Sequence, residues 1–418
     1  MSRFYRNTLL WIFPISLIIS FFFDPIFHPD SKDYIKYHPA RSVGYPFFIY
    51  VLNENLKLVL FFQSFFGLFS VALFVKEIKC FFNFNNYIVF FLSSILVVIT
   101  IKISLNILTG SLAFSFFLFF MTMIIKVLQK KQEKFLIIAL LVLLIGVIVR
   151  PQLIFLVVSL ILTTSYILSK KLKIITFLIF PLTSLVFFVP NKINVYFNNS
   201  LNNVNVPIAD TWNQLMILPI FITDEEGIER SSSNQKDLLM NIHQCVRNKG
   251  LTKKSSTENG NNWLHVLEHN SFTIKNCSNV EIEKKFPTNN LTQNEKISKS
   301  LYFDFLLINF NYDKINLFKS YFLKFSTAFI NKYYLVIFLF FTLFLIYGFF
   351  RFNDERLFFF IQLILTHYSN LIIILIGAPY LTRFKFYTEL ILMLMILLVI
   401  IDYFSKGLTK IKNAKCSS

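Results

Sequence analysis

Long apolar runs, most of them close to a bilayer crossing in length, alternate along the chain with short loops that hold much of its charge. Such runs predict membrane-spanning helices, because in lipid the backbone must satisfy its own hydrogen bonds. They fall at roughly 8–23, 58–74, 87–105, 112–128, 135–149, 153–168, 174–189, 333–350, 357–376 and 386–401. Several are short or share a hairpin. The expected fold class is therefore all-α: a polytopic transmembrane helical bundle of about 10 spans, with a range of about 9–11, and one large external loop region. The first run follows Arg3 and Arg6 as a signal-peptide core would, but no small-residue cleavage site follows it, so it is read as a retained helix.

The loop charges orient these spans. Arg3, Arg6, Lys76, Lys79, Lys126, Lys130, Lys131 and Lys134 fall on one side, as do Lys170, Lys171, Lys173, Arg351 and Arg356. The tail lysines Lys406, Lys410, Lys412 and Lys415 join them. The positive-inside rule makes that side cytoplasmic, with both termini inside. Four regions follow: an N-terminal transmembrane bundle (1–189) with its first external loop at 24–57, an external loop region (190–332), C-terminal transmembrane helices (333–402) and a basic cytoplasmic tail (403–418).

Composition changes this picture little. Of 418 residues, 55% are hydrophobic and 54 are Phe, a bias that fits an AT-rich genome as well as any function. The net charge of +18 is distributed as topology requires, so no nucleic-acid partner is implied. The four cysteines lack metal-ligand spacing; Cys245 and Cys277 share the long loop, where a disulfide and two free thiols are both open readings. That loop is rich in Asn, Ser and Lys. Its apolar patch WNQLMILPIFI predicts interfacial helices or a small lobe, and LFKSYFLKFSTAFI, with Lys319 and Lys324 set apart from its aromatics, predicts a helix in the headgroup plane. Partial disorder is the competing expectation.

Charge beside lipid is costly and tends to mark function or pairing. Three outward clusters qualify: Asp24, His28, Asp30, Lys32, Asp33, His38 and Arg41; then Arg150-Pro151-Gln152; then Arg383 and Lys385, with Glu389 one turn deeper. A carboxylate among fixed cations suits a site that holds a lipid-linked phosphate while the carboxylate deprotonates a nucleophile. Arginine forks match phosphate oxygens better than lysines do.

The order of Asp30, Tyr34, Arg41 and Gly44-Tyr45-Pro46 after the first run resembles the glycosyltransferase C superfamily. More narrowly, it is similar to bacterial family-39-like membrane transferases, relatives of protein O-mannosyltransferases and lipid A aminoarabinose transferases. Arg150-Pro151 and Arg383-Phe384, after Pro379, resemble arginine motifs of the same proteins. The chain departs from them at Leu108-Thr109-Gly110-Ser111, where many relatives carry Thr-Glu, and at Tyr387-Thr388-Glu389, where relatives carry a proline. The resemblance implies a polyprenyl-phosphate sugar donor and a glycan, lipid or protein acceptor. It implies Asp30 as general base, with Asp24 the second choice, and transfer with inversion. Arg41, Arg383, Lys385 and Arg150, with Tyr34 and Tyr45, would serve the phosphate and substrate. The expected setting is the bacterial inner membrane, with the large loop periplasmic.

Plainer readings stand beside these. Asp30 suits a helix N-cap, Asp24 a helix end before Pro25, and Arg41 a salt bridge to Asp30 or Asp33. Gly44-Tyr45-Pro46 suits a turn into a re-entrant helix, and Arg150 and Arg383 suit snorkelling to headgroups. His367 in THYSN suits interhelical hydrogen bonding or a proton relay. A divalent metal at His28, His38, Asp24 and Asp30, or a zinc at His265 and His269, has no supporting motif, so no cofactor is assigned. The alternative functions are an O-antigen-type polysaccharide polymerase or ligase, and a transporter or flippase.

Overall fold

The computed structural model describes residues 3–170, 174–327, 342–343, 346–347, 354–377 and 387–401. Most of the predicted run 333–350, Arg351, the turn with Arg383 and Lys385, and the basic tail lie outside the described residues.

Among the described residues there is no strand, only an isolated bridge between Ile26 and Asn106. Helix α1 (Arg3–Phe22) is followed by two short helices, α2 (Ser31–Ile35) and α3 (Gly44–Val51). Then come α4 (Leu56–Phe82), α5 (Asn86–Ser104), α6 (Thr109–Lys130) and α7 (Lys134–Val149). A single 3-10 turn (Pro151–Phe155) leads into α8 (Leu156–Lys170), α9 (Ile174–Thr183) and α10 (Leu185–Asn202). Among the described residues six helices are long and apolar enough to cross a membrane: Leu56–Phe82, Asn86–Ser104, Thr109–Lys130, Pro151–Lys170, Phe177–Asn202 and Glu355–Leu375. These mark an integral membrane protein. The expected count of about ten is not reached among them: Leu10–Phe22, Lys134–Val149 and Tyr387–Ile401 are apolar helices of shorter length, and most of the run 333–350 lies outside the described residues.

Asparagines punctuate the bundle. Asn55 caps α4 by accepting from Lys57 N and Leu58 N, and Asn85 caps α5 by accepting from Ile88 N. Asn83 ends α4 in the left-handed conformation that asparagine tolerates. Two compact units result, Met1–Asn194 with Thr342–Asn370 and Phe386–Ser418, and Val195–Phe341 with Leu371–Lys385. In the first, α6 is the most enclosed helix, packed on α4 and α7. The approach of α4 to its neighbours depends on Gly67. A Cβ there would lie 2.5 Å from Thr100 Cγ2 and 3.3 Å from Ser115 Oγ, so the small residue lets three helices meet.

The second unit folds from α11 (Thr211–Ile222), α12 (Glu225–Glu229), α13 (Lys236–Asn248), α14 (Lys253–Glu258), α15 (Trp263–Lys285) and α16 (Leu291–Thr327). The apolar patch of α11 is its centre: Met216, Ile220 and Phe221 are buried against Leu239, Ile242, Leu301 and Phe305. Cys245 on α13 and Cys277 on α15 are bonded, their Cα atoms 5.8 Å apart, which resolves the two open readings for this pair. Glu295 replaces a side-chain cap for α11, accepting from Asp210 N at 3.0 Å and Trp212 N at 3.0 Å.

Two residues before Cys245, His243 is buried in this core. Its Nε2 lies 3.0 Å from the Thr223 carbonyl and therefore carries the proton, while Nδ1 is buried without a partner. Burial pushes its pKa down. Above about pH 6.5 both folded and unfolded forms are neutral there. Below it the unfolded chain takes up a proton that the folded chain refuses, so stability falls with pH, by at most about 1.4 kcal/mol per unit. Thermal unfolding of the detergent-solubilised chain should weaken more between pH 7.5 and 5 than that of His243→Gln; equal losses would refute this assignment.

Candidate functional site

After α1, the loop between α5 and α6 holds the chain in place. Ile26 N donates to Leu105 O at 2.8 Å, and Ile107 N donates back to Ile26 O at 3.1 Å. His28 Nε2 meets Asn106 Oδ1 at 2.7 Å. The fully buried Ser31 donates to Ile107 O at 2.9 Å while accepting from His28 N at 2.8 Å. The start of α2 is thereby tied to a membrane helix pair before any charged group is placed.

Asp30 occupies the N-cap position of α2, yet its side chain makes no capping bond. Its Oδ1 accepts from Arg41 Nη2 at 2.7 Å. Asp33, one turn on, accepts at Oδ2 from Arg41 Nη2 at 2.8 Å and from Nε at 3.1 Å. Tyr37, in the left-handed region at φ 54°, reverses the chain so that Arg41 can reach both carboxylates. The three side chains are about a quarter to a third exposed, at 25% for Arg41, 24% for Asp30 and 37% for Asp33. Burial works against the Arg41 charge, but Tyr34, Asp33 and Asp30 more than offset it and hold the guanidinium above its ordinary pKa. Two carboxylates on one cation leave the cluster with an excess negative charge. An incoming phosphate would compete with both for the guanidinium fork.

Tyr34 lies under Arg41, with the guanidinium carbon 5.4 Å from the ring centroid, and meets Tyr45 edge-on at 5.3 Å. Tyr45 is fully buried, which pushes its phenol pKa up and keeps it neutral. Its hydroxyl donates to Gln63 Oε1 at 3.2 Å, an atom that also accepts from Ser111 Oγ at 2.9 Å. Gln63 Nε2 donates to Asn106 O at 3.2 Å and to Ser104 O. One amide in α4 thus joins α3, the α5–α6 loop and the first turn of α6. Gly44 is needed where α3 meets the end of α7: a Cβ there would sit 2.6 Å from Ile148 O and 2.7 Å from Val149 N. Asn194 completes this corner, accepting from Val43 N at 2.9 Å.

Arg150 directly follows that contact. Its backbone is extended, and Pro151 behind it starts the 3-10 turn. Nη1 donates to Tyr387 OH at 2.8 Å, and Tyr387 OH donates in turn to Gly110 O at 3.2 Å in α6. Arg150 Nε donates to Gln152 Oε1 at 3.2 Å, and Gln152 Nε2 to Asn370 Oδ1 at 2.8 Å. Asn370 Nδ2 donates to Thr388 Oγ1 at 3.0 Å, and His367 Nδ1 lies 2.9 Å from the same hydroxyl. His367 therefore bonds α17 (Glu355–Gly377) to α18 (Tyr387–Ile401), and Arg150 sits within a polar chain, from Gly110 to His367, that joins four helical segments.

Of the residues singled out by sequence, Asp30, Tyr34, Arg41 and Tyr45 form one cluster, and Arg150 belongs to a second network. Asp24 stands apart: its side chain is 95% exposed and paired with Lys57 Nζ at 2.9 Å. Arg383 and Lys385 lie outside the described residues. His265 and His269 stack at 3.9 Å, with His269 Nδ1 at 2.9 Å from His265 O. Among the described residues no group of three His, Cys, Asp or Glu side chains could hold a metal. Sequence reasoning passed over Gln63, Ser31, Asn106 and Asn194. Gln63-Ser64 in the middle of an apolar run carried a usable signal, since a polar amide in lipid needs partners.

No protein-family model, characterised protein or solved structure matches the chain.

Gly44→Ala should destabilise the bundle by about 2–3 kcal/mol, because its Cβ meets backbone that cannot rotate away. Gln63→Leu should cost about 1–3 kcal/mol, through the carbonyls and hydroxyls left without partners. Thermal unfolding in detergent measures both; wild-type stability in either variant would contradict the packing described.

Proposed function

We propose that the protein is a membrane glycosyltransferase that moves a sugar from a polyprenyl-phosphate donor to an acceptor outside the cytoplasm. The observation that carries this reading is Arg41 shared between Asp30 and Asp33, about a quarter exposed, in the segment that follows the apolar helix α1. A lipid-borne phosphate reaches such a place by sliding along the bilayer. The same guanidinium that restrains Asp30 at rest is the group best suited to receive the phosphate oxygens.

The reaction then follows from charge. Phosphate draws Arg41 toward itself, which releases Asp30 to accept the proton of the acceptor hydroxyl or amine. The acceptor atom bonds to the anomeric carbon from the face opposite the phosphate. The bond from that carbon to the phosphate oxygen breaks, and its electron pair stays on the lipid phosphate. Arg41 stabilises the charge that collects there. Tyr34 and Tyr45 hold the loop in register. The disulfide between Cys245 and Cys277 supports an oxidising compartment for the 195–341 unit, and so the periplasmic side of a bacterial inner membrane.

Purified protein would be offered a panel of radiolabelled undecaprenyl-phosphate hexoses and pentoses with membrane extract as acceptor source, reading release of undecaprenyl phosphate. Asp30→Asn should lower turnover by about 10²-fold or more, as expected for loss of a general base. Asp24→Asn should leave it within about twofold, since Asp24 is paired outside the cluster. Loss with Asp24→Asn alone would move the base to that carboxylate. Full turnover in both variants would sink the catalytic role of this loop.

A further inference from the structure

Helix α16 is apolar on two opposite sides. One side belongs to the lobe's core, where Leu301, Phe305 and Ile308, and Leu317 beyond the kink at Asp313, are buried. The other side carries Phe303, Leu307, Phe310, Ile315, Phe318 and Phe322, each between 44% and 74% exposed. At about 100° per residue, the first three of these lie nearly opposite Leu301, Phe305 and Ile308. The last three likewise lie away from Leu317 and the buried Ser320. The kink does not divide the stripe, because the Phe310 and Phe318 rings meet at 6.4 Å across it. Exposed Lys314 and Lys319 flank its second half on either side. Lys324, which the sequence pattern sets on the polar face, is instead buried and donates to Leu375 O at 2.8 Å.

A helix that is apolar on both sides needs apolar cover on both. We infer that the exposed stripe of α16 rests in the headgroup–acyl boundary of the bilayer, with Lys314 and Lys319 reaching anionic lipid headgroups. Two observations select lipid over a protein partner. The lysines sit where their stems can lie along the stripe and their ammonium groups can reach phosphate. The chain also leaves α16 almost directly for the apolar run 333–350, so this end of the helix must reach the membrane surface. Trp212 adds an interfacial aromatic, its ring 5.7 Å from Phe303 and 5.3 Å from Lys299 Nζ. The surface begins at Phe303, about 14 residues or four helical turns before the 317–330 segment singled out by sequence. It does not depend on the sugar-transfer reading.

The test uses the full chain with Cys80→Ser and Cys416→Ser, one copy per nanodisc. A fluorescent NBD label is placed in turn at Leu307→Cys, Phe318→Cys and the exposed control Lys249→Cys. Shallow doxyl lipids should quench the two stripe labels about threefold more than the control. Equal quenching at all three positions would overturn the inference, as would protection of the stripe labels that arises only in discs with two copies, which would assign the face to a second chain. Lys314→Gln with Lys319→Gln should lower stripe quenching in phosphatidylglycerol discs and leave it unchanged in phosphatidylcholine discs. The same loss in both lipids would overturn the headgroup contact.

Discussion

A partly buried charge has to be paired, and the Arg41 guanidinium between Asp30 and Asp33 is the pairing on which this corner of the bundle turns. With Arg41 in place, the 36–41 loop can fold back on α2, and Gly44 can then be set on the backbone of α7. Both carboxylates share the one guanidinium, so its Nε and Nη2 are engaged in holding the loop closed.

Support for the clamp comes from ordinary hydrogen-bond satisfaction. The α5–α6 loop offers carbonyls that no helix uses, and the chain supplies Ile26, Ser31 and Gln63 to meet them. Buried backbone groups left unpaired would each cost about 1–3 kcal/mol, so the loop and the polar segment stabilise one another. The second network, from Gly110 through Tyr387 and Arg150 to His367, follows the same logic. Each hydroxyl and amide in it joins elements far apart in sequence.

The 195–341 unit solves a different problem. It is rich in polar residues, yet α11 supplies a continuous apolar centre, and the disulfide ties α13 to α15 around it. The double-sided character of α16 follows from having a protein core on one side and an apolar surface opposite. Ordinary amphipathic periodicity would have produced only the first.

Much of the architecture was legible in sequence, because membrane helices announce themselves through local composition. The apolar runs at 58–74, 87–105, 112–128, 153–168 and 357–376 each coincide, to within a residue at their ends, with part or all of a helix long enough to cross. The concentration of Asp30, Asp33 and Arg41 after α1 was equally visible, since charge stands out against Phe and Leu. Local pattern could not say which partner each charge would choose. Asp30 had the spacing of an N-cap but accepts from Arg41, a choice made by where Tyr37 turns the chain. Gln63, Asn106, Asn194 and Tyr387 were decided only in three dimensions, because each owes its role to a residue at least tens of positions away. Nor could composition tell a core patch from an interfacial one: the apolar run of α11 is buried, while that of α16 is half exposed. Hydrophobicity is a property of a segment, whereas burial and hydrogen-bond pairing are properties of what the rest of the chain brings to it.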